Sequence, residues 1–261
     1  MPLGFAVPGV GRTGETRLPL TTSGLGLAAV ELSVVVPCFN EESRLPVTLR
    51  VVERYLVPSG RTFELILVDD GSTDCTRQML RRAAAELPYV RRVGVTPNRG
   101  KGRAVAEGIR CSSGDLVLLS DVDFSAPIEE LPRLEEAILL GADVAIGSRA
   151  KRGAREVLQP LHRRLMGKSF NLIVQSLLLP GIWDTQCGFK LLRGPVAREL
   201  AAALRIEGFA YDVELLYLAK LAGYSITEVP VRWVNSDTSR VSALRDSRRM
   251  LRDVLRLRFR P

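Results

Sequence analysis

The segment Leu116-Val-Leu-Leu-Ser-Asp-Val-Asp123 is a short apolar run that ends in two carboxylates. Four apolar residues bounded by polar, turn-forming residues are typical of a buried strand. If the segment stays extended, Asp121 and Asp123 point to the same side, at the edge where open α/β sheets bind ligands. Like charges that converge in this way favour a divalent cation between them, although a solvated acidic loop would have the same pattern.

Short β-rich runs and amphipathic helices alternate upstream of this segment. Strands are predicted at Leu32–Pro37, Phe63–Asp69 and Val90–Thr96, and apolar residues recur at helical spacing after them. Four strands separated by helices predict a parallel sheet made of right-handed crossovers. The predicted fold class is therefore α/β, with a mostly parallel, Rossmann-like central sheet flanked by helices.

The half of the chain after Asp123 is less regular. It predicts a long helix at about 161–178, a final strand at Ile226–Val234 and a helix over 242–259. On this basis we divide the chain into three parts. These are a flexible tail over 1–30, one α/β domain over 31–235, and a basic amphipathic helix within 236–261.

The composition limits the kind of partner and compartment. The chain has 261 residues and a formal net charge of +8, from 37 basic and 29 acidic residues. This balance favours a nucleic acid, an anionic membrane surface or a phosphorylated substrate. The four cysteines form no C-x-x-C pair, so we expect neither a zinc site nor a disulfide framework. We therefore expect the protein to reside in a reducing cytosol. No apolar run approaches 18 residues, so we expect only peripheral membrane contact.

Two loops argue against common nucleotide-binding classes. The first βα turn, Pro37-Cys-Phe-Asn-Glu-Glu42, lacks the G-x-G-x-x-G pattern of dinucleotide-binding domains. The loop Asn98-Arg-Gly-Lys-Gly102 contains glycines and a lysine without the spacing of a P-loop. A dehydrogenase, an ATPase and a GTPase are therefore not favoured.

Five ordered motifs resemble the inverting family 2 glycosyltransferases, which have the GT-A fold. They are Val34-Val-Val-Pro-Cys-Phe-Asn-Glu-Glu42, Leu67-Val-Asp-Asp-Gly-Ser-Thr-Asp74, Asn98-Arg-Gly-Lys-Gly102, Ser120-Asp-Val-Asp123 and Gly147-Ser-Arg149. Within that family, Asp184–Leu192 and Phe209–Tyr217 look most like dolichyl-phosphate β-glucosyltransferases, with the mannosyltransferases further away. The resemblance spans about residues 32 to 235. Eukaryotic relatives usually carry an amino-terminal membrane anchor, and we expect none here.

The resemblance assigns the strand ends of the first half to a nucleotide sugar. The matching positions are Pro37, Asn40, Glu41, Asp69, Asp70, Lys101, Asp121 and Val122. In that family the first carboxylate after the second strand binds the base. Mg²⁺ or Mn²⁺ is expected at Asp121 and Asp123, chiefly at Asp123 together with the diphosphate. Alternatively, residues 37–41 form a plain turn and Lys101 is merely solvated.

A basic segment and two further acids are predicted on the acceptor side. The cations that would bind the phosphate of a polyprenyl-phosphate acceptor are Arg149, Lys151, Arg152 and Arg155. The catalytic candidates are Asp123, Asp184 and Asp212, with Asp212 as a base and Asp184 orienting the acceptor or the sugar hydroxyls. Asp212 could instead cap a helix that begins at Val213. A phosphomonoester is largely ionised near neutral pH and needs no strong base.

The carboxyl-terminal helix is predicted to be basic and amphipathic. Its arginines at helical spacing are Arg245, Arg249, Arg252 and Arg256. The leucines on a neighbouring face are Leu244, Leu251 and Leu255. Such a helix lies on an anionic membrane, or packs its apolar face on the domain or on another subunit.

The predicted function is inverting transfer of a hexose, glucose from UDP-glucose, to a polyprenyl or dolichyl phosphate at the cytoplasmic membrane face. A GDP-mannose-dependent mannosyltransferase and a GT-A enzyme with a soluble hydroxyl acceptor are the alternatives. The intact Asp121-Val-Asp123 motif argues against a non-catalytic nucleotide-sugar-binding module. Against a nucleotidyltransferase stands the absence of a glycine-rich loop after the first strand. We expect no nucleic-acid partner, and the oligomeric state is left open.

Overall fold

The computed structural model describes residues 29–157, 161–234 and 243–259. The predicted tail up to residue 28, and the side chains of Leu244 and Arg245, lie outside the described part. The strands are β1 (Leu32–Cys38), β2 (Phe63–Asp70), β3 (Val90–Val95), β4 (Leu116–Leu119), β5 (Val144–Ser148), β6 (Arg155–Val157), β7 (Lys190–Arg193), β8 (Ile226–Pro230) and β9 (Arg232–Val234). The helices are α1 (Leu45–Leu56), α2 (Thr76–Glu86), α3 (Lys101–Arg110), α4 (Leu131–Leu139), α5 (Leu161–Leu177), α6 (Gly194–Ala203), α7 (Tyr211–Leu221) and α8 (Ala243–Phe259).

Seven strands form one central sheet, in the order β3-β2-β1-β4-β7-β5-β8. The first four strands of the chain are parallel, as predicted, and β7 enters antiparallel between β4 and β5. Strand β8 pairs in parallel with β5, while β6 and β9 form a separate two-stranded sheet. The predicted α/β class, with a mostly parallel sheet flanked by helices, is confirmed.

The final strand predicted at Ile226–Val234 is wrong as a single element. It divides at Val231 into β8, which belongs to the central sheet, and β9, which pairs with β6. Pro230, the last residue of β8, has no backbone N–H with which to continue a ladder. Strand β9 instead approaches the loop after β4, where the Val234 N–H donates to the carbonyl of Ser125 at 2.7 Å.

Strand β1 is buried on both faces of the sheet. Val34 and Val36 belong to the core formed with α1, α2 and α4, whereas Val35 belongs to the core formed with α3, α6 and α7. Successive side chains of a strand point to opposite faces, so all three valines are covered. Burial on both faces explains why this strand reads as a continuous apolar run.

The end of β4 places the two carboxylates of the Asp121-Val-Asp123 motif. Strand β4 ends at Leu119, and the chain turns at once, because the Phe124 N–H donates to the carbonyl of Asp121 at 3.1 Å. Phe124 has a φ of 44°, in the left-handed region. Asp121 and Asp123 lie at the predicted edge, but the extended geometry assumed from the sequence is wrong, since a turn positions them.

Helix α8 lies against α5 and α7. Val254 is buried in the core and Met250 is also buried, whereas Leu255, predicted for the apolar face, is exposed. The buried face of α8 therefore lies one residue away from the predicted leucine face. This buried face packs on the domain. No helix in the described ranges is long and apolar enough to cross a membrane.

Candidate active site

Asp69 lies buried at the end of β2, beside the loop after β1. Its Oδ1 accepts a hydrogen bond from the Ser72 N–H, and its Oδ2 accepts one from Nε of Arg77, both at 2.9 Å. Asn40 joins the same loop, because its N–H donates to Ser72 Oγ at 3.0 Å and its Oδ1 accepts from the Thr73 N–H at 2.7 Å. Two of the predicted nucleotide-binding residues are thus brought together.

Asp70 is also buried, but its carboxylate bonds the loop before α3. It accepts hydrogen bonds from the backbone N–H groups of Arg99 and Gly100, at 3.0 and 2.9 Å, and from Nδ2 of Asn98 at 3.0 Å. Burial raises the pKa of Asp70 above its ordinary value, although these backbone donors oppose the rise. The carboxylate shapes the loop that leads to Lys101, and its role toward the nucleotide stays a prediction.

Three further predicted nucleotide-binding residues lie near the end of β1 and the turn after β4. Pro37 is part of β1 and is half-buried. Glu41 is buried and forms an ion pair with Arg44 at 3.2 Å. Val122 is buried, and its carbonyl accepts a hydrogen bond from the hydroxyl of Thr48 in α1. These contacts connect the turn after β4 with α1.

Asp121 forms an ion pair with Lys101, the first residue of α3. The Lys101 ammonium also lies 5.9 Å from the centre of the Tyr211 ring. Desolvation opposes ionisation of Asp121, but the charge and the hydrogen bond of Lys101 favour it. Lys190 and Arg149 act in the same direction as Lys101, so the pKa of Asp121 lies below its ordinary value. The alternative of a merely solvated Lys101 is therefore wrong.

Asp123 has one engaged carboxylate oxygen. Its Oδ1 accepts hydrogen bonds from the N–H and the hydroxyl of Ser125, at 3.0 and 2.9 Å, and its Oδ2 has no donor among the residues described. Within the same residues, no group of three or more His, Cys, Asp or Glu side chains could hold a metal. Magnesium is commonly bound by one or two carboxylates with substrate phosphates completing the shell, and Asp121 with Asp123 fits that donor set.

Arg149 and Asp184 form a bidentate ion pair. Nε and Nη2 of Arg149 each donate to the Asp184 carboxylate at 2.8 Å, and the Arg149 N–H donates to it at the same distance. The guanidinium also lies 5.2 Å from the centre of the Trp233 ring. Burial opposes ionisation of Asp184, but Arg149 holds its pKa below the ordinary value. The predicted acceptor cation is thus held by a predicted catalytic acid.

Lys190, in β7, is fully buried and donates to the carboxylate of Asp212. Asp212 lies in the first turn of α7, which begins at Tyr211 and has no side-chain cap. The alternative of Asp212 as the cap of a helix beginning at Val213 is therefore wrong. The carboxylate neutralises a buried cation instead, because a buried charge requires a partner.

These three ion pairs form one group of alternating charge, which we call the charge cluster. Its members are Lys101, Asp121, Arg149, Asp184, Lys190 and Asp212. Lys190 lowers the pKa of both Asp121 and Asp184, so the pairs are electrostatically coupled. A small pocket beside Asp121 is lined by Ser120, Asp121, Ser125, Ala126, Cys187, Gly188, Phe189 and Trp233.

The remaining predicted acceptor cations are all exposed. Lys151 lies 3.7 Å from the carboxylate of Glu228, measured from Nζ to Oε2. Arg155 lies in β6, paired with Arg232 of β9. The phosphate-binding role of Arg152 and Arg155 stays a prediction.

The sequence interpretation missed Lys190, Glu228 and Trp233. A usable signal existed for two of them, because a charged residue in a strand of a central sheet is rarely buried without a partner. Lys190 and Glu228 are such residues, in β7 and β8 respectively. Trp233 gave no comparable signal.

Comparison with known proteins places the chain in a family. The model of glycosyl transferase family 2 matches residues 33–201. The dolichyl-phosphate beta-glucosyltransferase of Dictyostelium discoideum is 35% identical over 244 residues, which cover 88% of this chain and 75% of the relative. The Homo sapiens protein of the same name is 34% identical over 244 residues, with the same coverage. The chain therefore belongs to glycosyltransferase family 2.

Solved structures show the same fold. Glucosyl-3-phosphoglycerate synthase from Mycobacterium tuberculosis, in complex with Mn²⁺, uridine-diphosphate and glucosyl-3-phosphoglycerate, has a TM-score of 0.64 and 22% identity, covering 87% of this chain and 79% of that chain. Its complex with Mg²⁺ and uridine-diphosphate has a TM-score of 0.62 at 22% identity, with the same coverage. This protein is a glycosyltransferase with the GT-A fold.

Proposed function

We propose that the enzyme transfers glucose from UDP-glucose to a polyprenyl phosphate such as dolichyl phosphate, with inversion. The observation that carries this proposal is that both predicted acceptor-side acids are ion-paired, Asp184 with Arg149 and Asp212 with Lys190. Burial opposes ionisation of Asp184, but Arg149 lowers its pKa, and a carboxylate with a lowered pKa is a weak base, which suits an acceptor that is already ionised. The family relatives, named dolichyl-phosphate beta-glucosyltransferases, support glucose as the transferred sugar and dolichyl phosphate as the acceptor.

On the donor side, the loops after β1 and β2 bind the nucleoside. Asn40 and Asp69, joined through Ser72, contribute polar groups at this edge. Asp70 holds the loop that leads to Lys101, and the lysine neutralises part of the diphosphate charge. The pocket is completed by Pro37, Glu41, Asp121 and Val122.

Asp123 and Asp121 would hold Mg²⁺ or Mn²⁺ together with the diphosphate. When bound, the ion acts as a Lewis acid for the charge that develops on the leaving UDP. Ser125 fixes the orientation of the Asp123 carboxylate through its two hydrogen bonds to Oδ1. Lys101 adds a positive charge beside Asp121.

On the acceptor side, a phosphate oxygen attacks the anomeric carbon from the face opposite UDP. The bond from that carbon to UDP breaks as the new bond forms, and UDP leaves with the electron pair. No proton has to be removed, because the second pKa of a phosphomonoester is about 6. Arg149, held by Asp184, and the exposed cations Lys151, Arg152 and Arg155 neutralise the acceptor.

Helix α8 brings the enzyme to its lipid acceptor at the cytoplasmic face of the membrane. Its exposed arginines include Arg248, Arg249, Arg252 and Arg256. Since Met250 and Val254 are buried against the domain, the contact with anionic headgroups is mainly electrostatic.

The donor and acceptor are tested by incubation with a radiolabelled nucleotide sugar, Mg²⁺ or Mn²⁺, and polyprenyl phosphate in detergent. We expect a labelled lipid with UDP-glucose and none with GDP-mannose. A labelled lipid with GDP-mannose alone would identify the mannosyltransferase alternative. A labelled water-soluble glycoside would rule out the lipid acceptor.

The metal assignment is tested with Asp123→Asn. We expect kcat to fall by at least about 10²-fold, because the leaving group loses its charge stabilisation. Asp115→Asn, at an exposed aspartate just before β4, is the matched control and should retain wild-type activity. Retention of metal-dependent activity by Asp123→Asn would contradict the assignment.

A further inference from the structure

We propose that Glu228, in β8, is a positioning residue that holds two cations of the acceptor-phosphate site in place. The inference rests on the proposed function, since it concerns the phosphate acceptor. The Glu228 side chain is only 4% exposed. In the sheet it pairs with Ile146 of β5, close to the end of that strand, from which Arg149 follows.

One oxygen of Glu228 supports the pair of Arg149 and Asp184. Its Oε1 accepts hydrogen bonds from the Asp184 N–H at 2.9 Å and from Ser148 Oγ at 3.0 Å. Asp184 in turn accepts three hydrogen bonds from Arg149. Glu228 therefore contacts both the residue that precedes Arg149 and the acid that holds its guanidinium.

The other oxygen of Glu228 faces a cation. Oε2 is buried and has no hydrogen-bond partner in the part of the chain that the structure describes. A buried carboxylate oxygen without a partner is destabilising, so its position requires an explanation. Nζ of Lys151 lies 3.7 Å away, within ion-pair distance but too far for a hydrogen bond, and the Lys151 side chain is 42% exposed.

This arrangement leaves the ammonium donors of Lys151 available to a further anion. A lysine restrained by a buried carboxylate and open to solvent on its other side loses less freedom when it binds a phosphate. Lys151 also screens the incoming phosphate from the negative charge of Glu228. One buried carboxylate thus positions Arg149 through Asp184, and Lys151 directly.

The experiment compares Glu228→Gln, Lys151→Ala and the double variant, with farnesyl phosphate as a short acceptor. Glutamine keeps an oxygen for Asp184 and Ser148 but removes the negative charge that faces Lys151. We expect the acceptor KM to rise about fivefold in each single variant, with no further rise in the double variant. The KM for UDP-glucose should not change.

Two controls separate positioning from a general loss of structure. Glu53→Gln, at an exposed glutamate of α1, should behave as the wild type. Lys151→Arg leaves the buried carboxylate intact and keeps the charge, so it should retain most of the acceptor affinity even if Glu228→Gln folds poorly. A large loss of acceptor affinity in Lys151→Arg would contradict the proposed charge contact.

The proposal is overturned if Glu228→Gln leaves the acceptor KM unchanged, raises the donor KM equally, or causes the same loss with and without Lys151. A failure of the proposed function is distinguishable, because the wild type would then form no glucosyl lipid. In that case, calorimetric titration with farnesyl phosphate tests Glu228 without turnover. The expected result is an increase in Kd of about fivefold in Glu228→Gln, and equal Kd values would overturn the inference.

Discussion

Asp184 is buried and accepts three hydrogen bonds from Arg149, whose charge holds its pKa below the ordinary value of 3.8. A carboxyl group whose pKa is lower in the folded state than in the unfolded state stabilises the fold at pH values above the unfolded-state pKa. This stability is lost as the pH falls through the folded-state pKa. We expect Asp184→Asn to lower the free energy of unfolding by about 3 kcal/mol at neutral pH. The difference from the wild type should shrink below about pH 4.

Urea unfolding at pH 7 and at about pH 3 measures this difference. Asp115→Asn, which removes an exposed carboxylate, should match the wild type at both pH values. A difference between Asp184→Asn and the wild type that stays constant with pH would show that Asp184 stabilises the fold by packing and not by its charge.

The pair of Lys190 and Asp212 gives a second prediction at this scale. Both side chains are buried, so Lys190→Met leaves an unpaired buried carboxylate and should cost about 3 to 5 kcal/mol. Lys190→Met combined with Asp212→Asn removes both charges and should be more stable than Lys190→Met alone. Thermal unfolding of the two single variants and the double variant measures the coupling. Additive losses would mean that the pair does not act as a unit.

At the scale of elements, β7 enters the sheet antiparallel and brings Gly188 against the Asp121 carboxylate. A methyl group at position 188 would overlap that carboxylate, so Gly188→Ala should displace Asp121 from Lys101. We expect metal-dependent activity to fall about tenfold or more, measured at saturating UDP-glucose, since small displacements in an active site are costly.

Gly167→Ala in α5 is the matched control for this change. A methyl group there meets nothing within 4 Å, and helix propensity favours alanine by about 1 kcal/mol. It should therefore retain full activity and be as stable as the wild type or slightly more stable. Full activity of Gly188→Ala would show that Asp121 tolerates displacement.

The position and direction of some strands were predicted from the sequence more accurately than those of others. The first four strands and their helices follow strong periodic patterns, and their parallel direction was predicted correctly. The antiparallel insertion of β7 was not predicted, because a four-residue strand that begins with a lysine has no clear alternation. The division after Pro230 depends on which neighbour each half meets, which is not a local property.

At the scale of the whole molecule, the net charge of +8 includes an exposed row of arginines on α8. Replacing four of them with glutamine should weaken binding to vesicles that contain phosphatidylserine, by about 1 kcal/mol per charge. The residues to replace are Arg248, Arg249, Arg252 and Arg256. Sedimentation with vesicles measures the binding, which should also fall as salt is added.

A control for this experiment removes the same charge from other helices. The residues to replace with glutamine are Arg50, Arg54, Arg81 and Arg82, which are exposed on α1 and α2. This variant should bind vesicles more strongly than the α8 variant does. Equal binding by the two variants would mean that net charge, and not the position of α8, attracts the membrane.

The amino-acid sequence was sufficient to predict the α/β class, the parallel direction of the first four strands and the family. Strand and helix periodicity and short motifs are local in the chain, so they can be recognised without a fold. The ion pairs of the charge cluster and the contact of Lys151 with Glu228 are different, because they join residues on separate elements. Folding determines which opposite charges meet and how deeply they are buried, and that pairing determines whether a carboxylate serves as a base or as a partner for a cation.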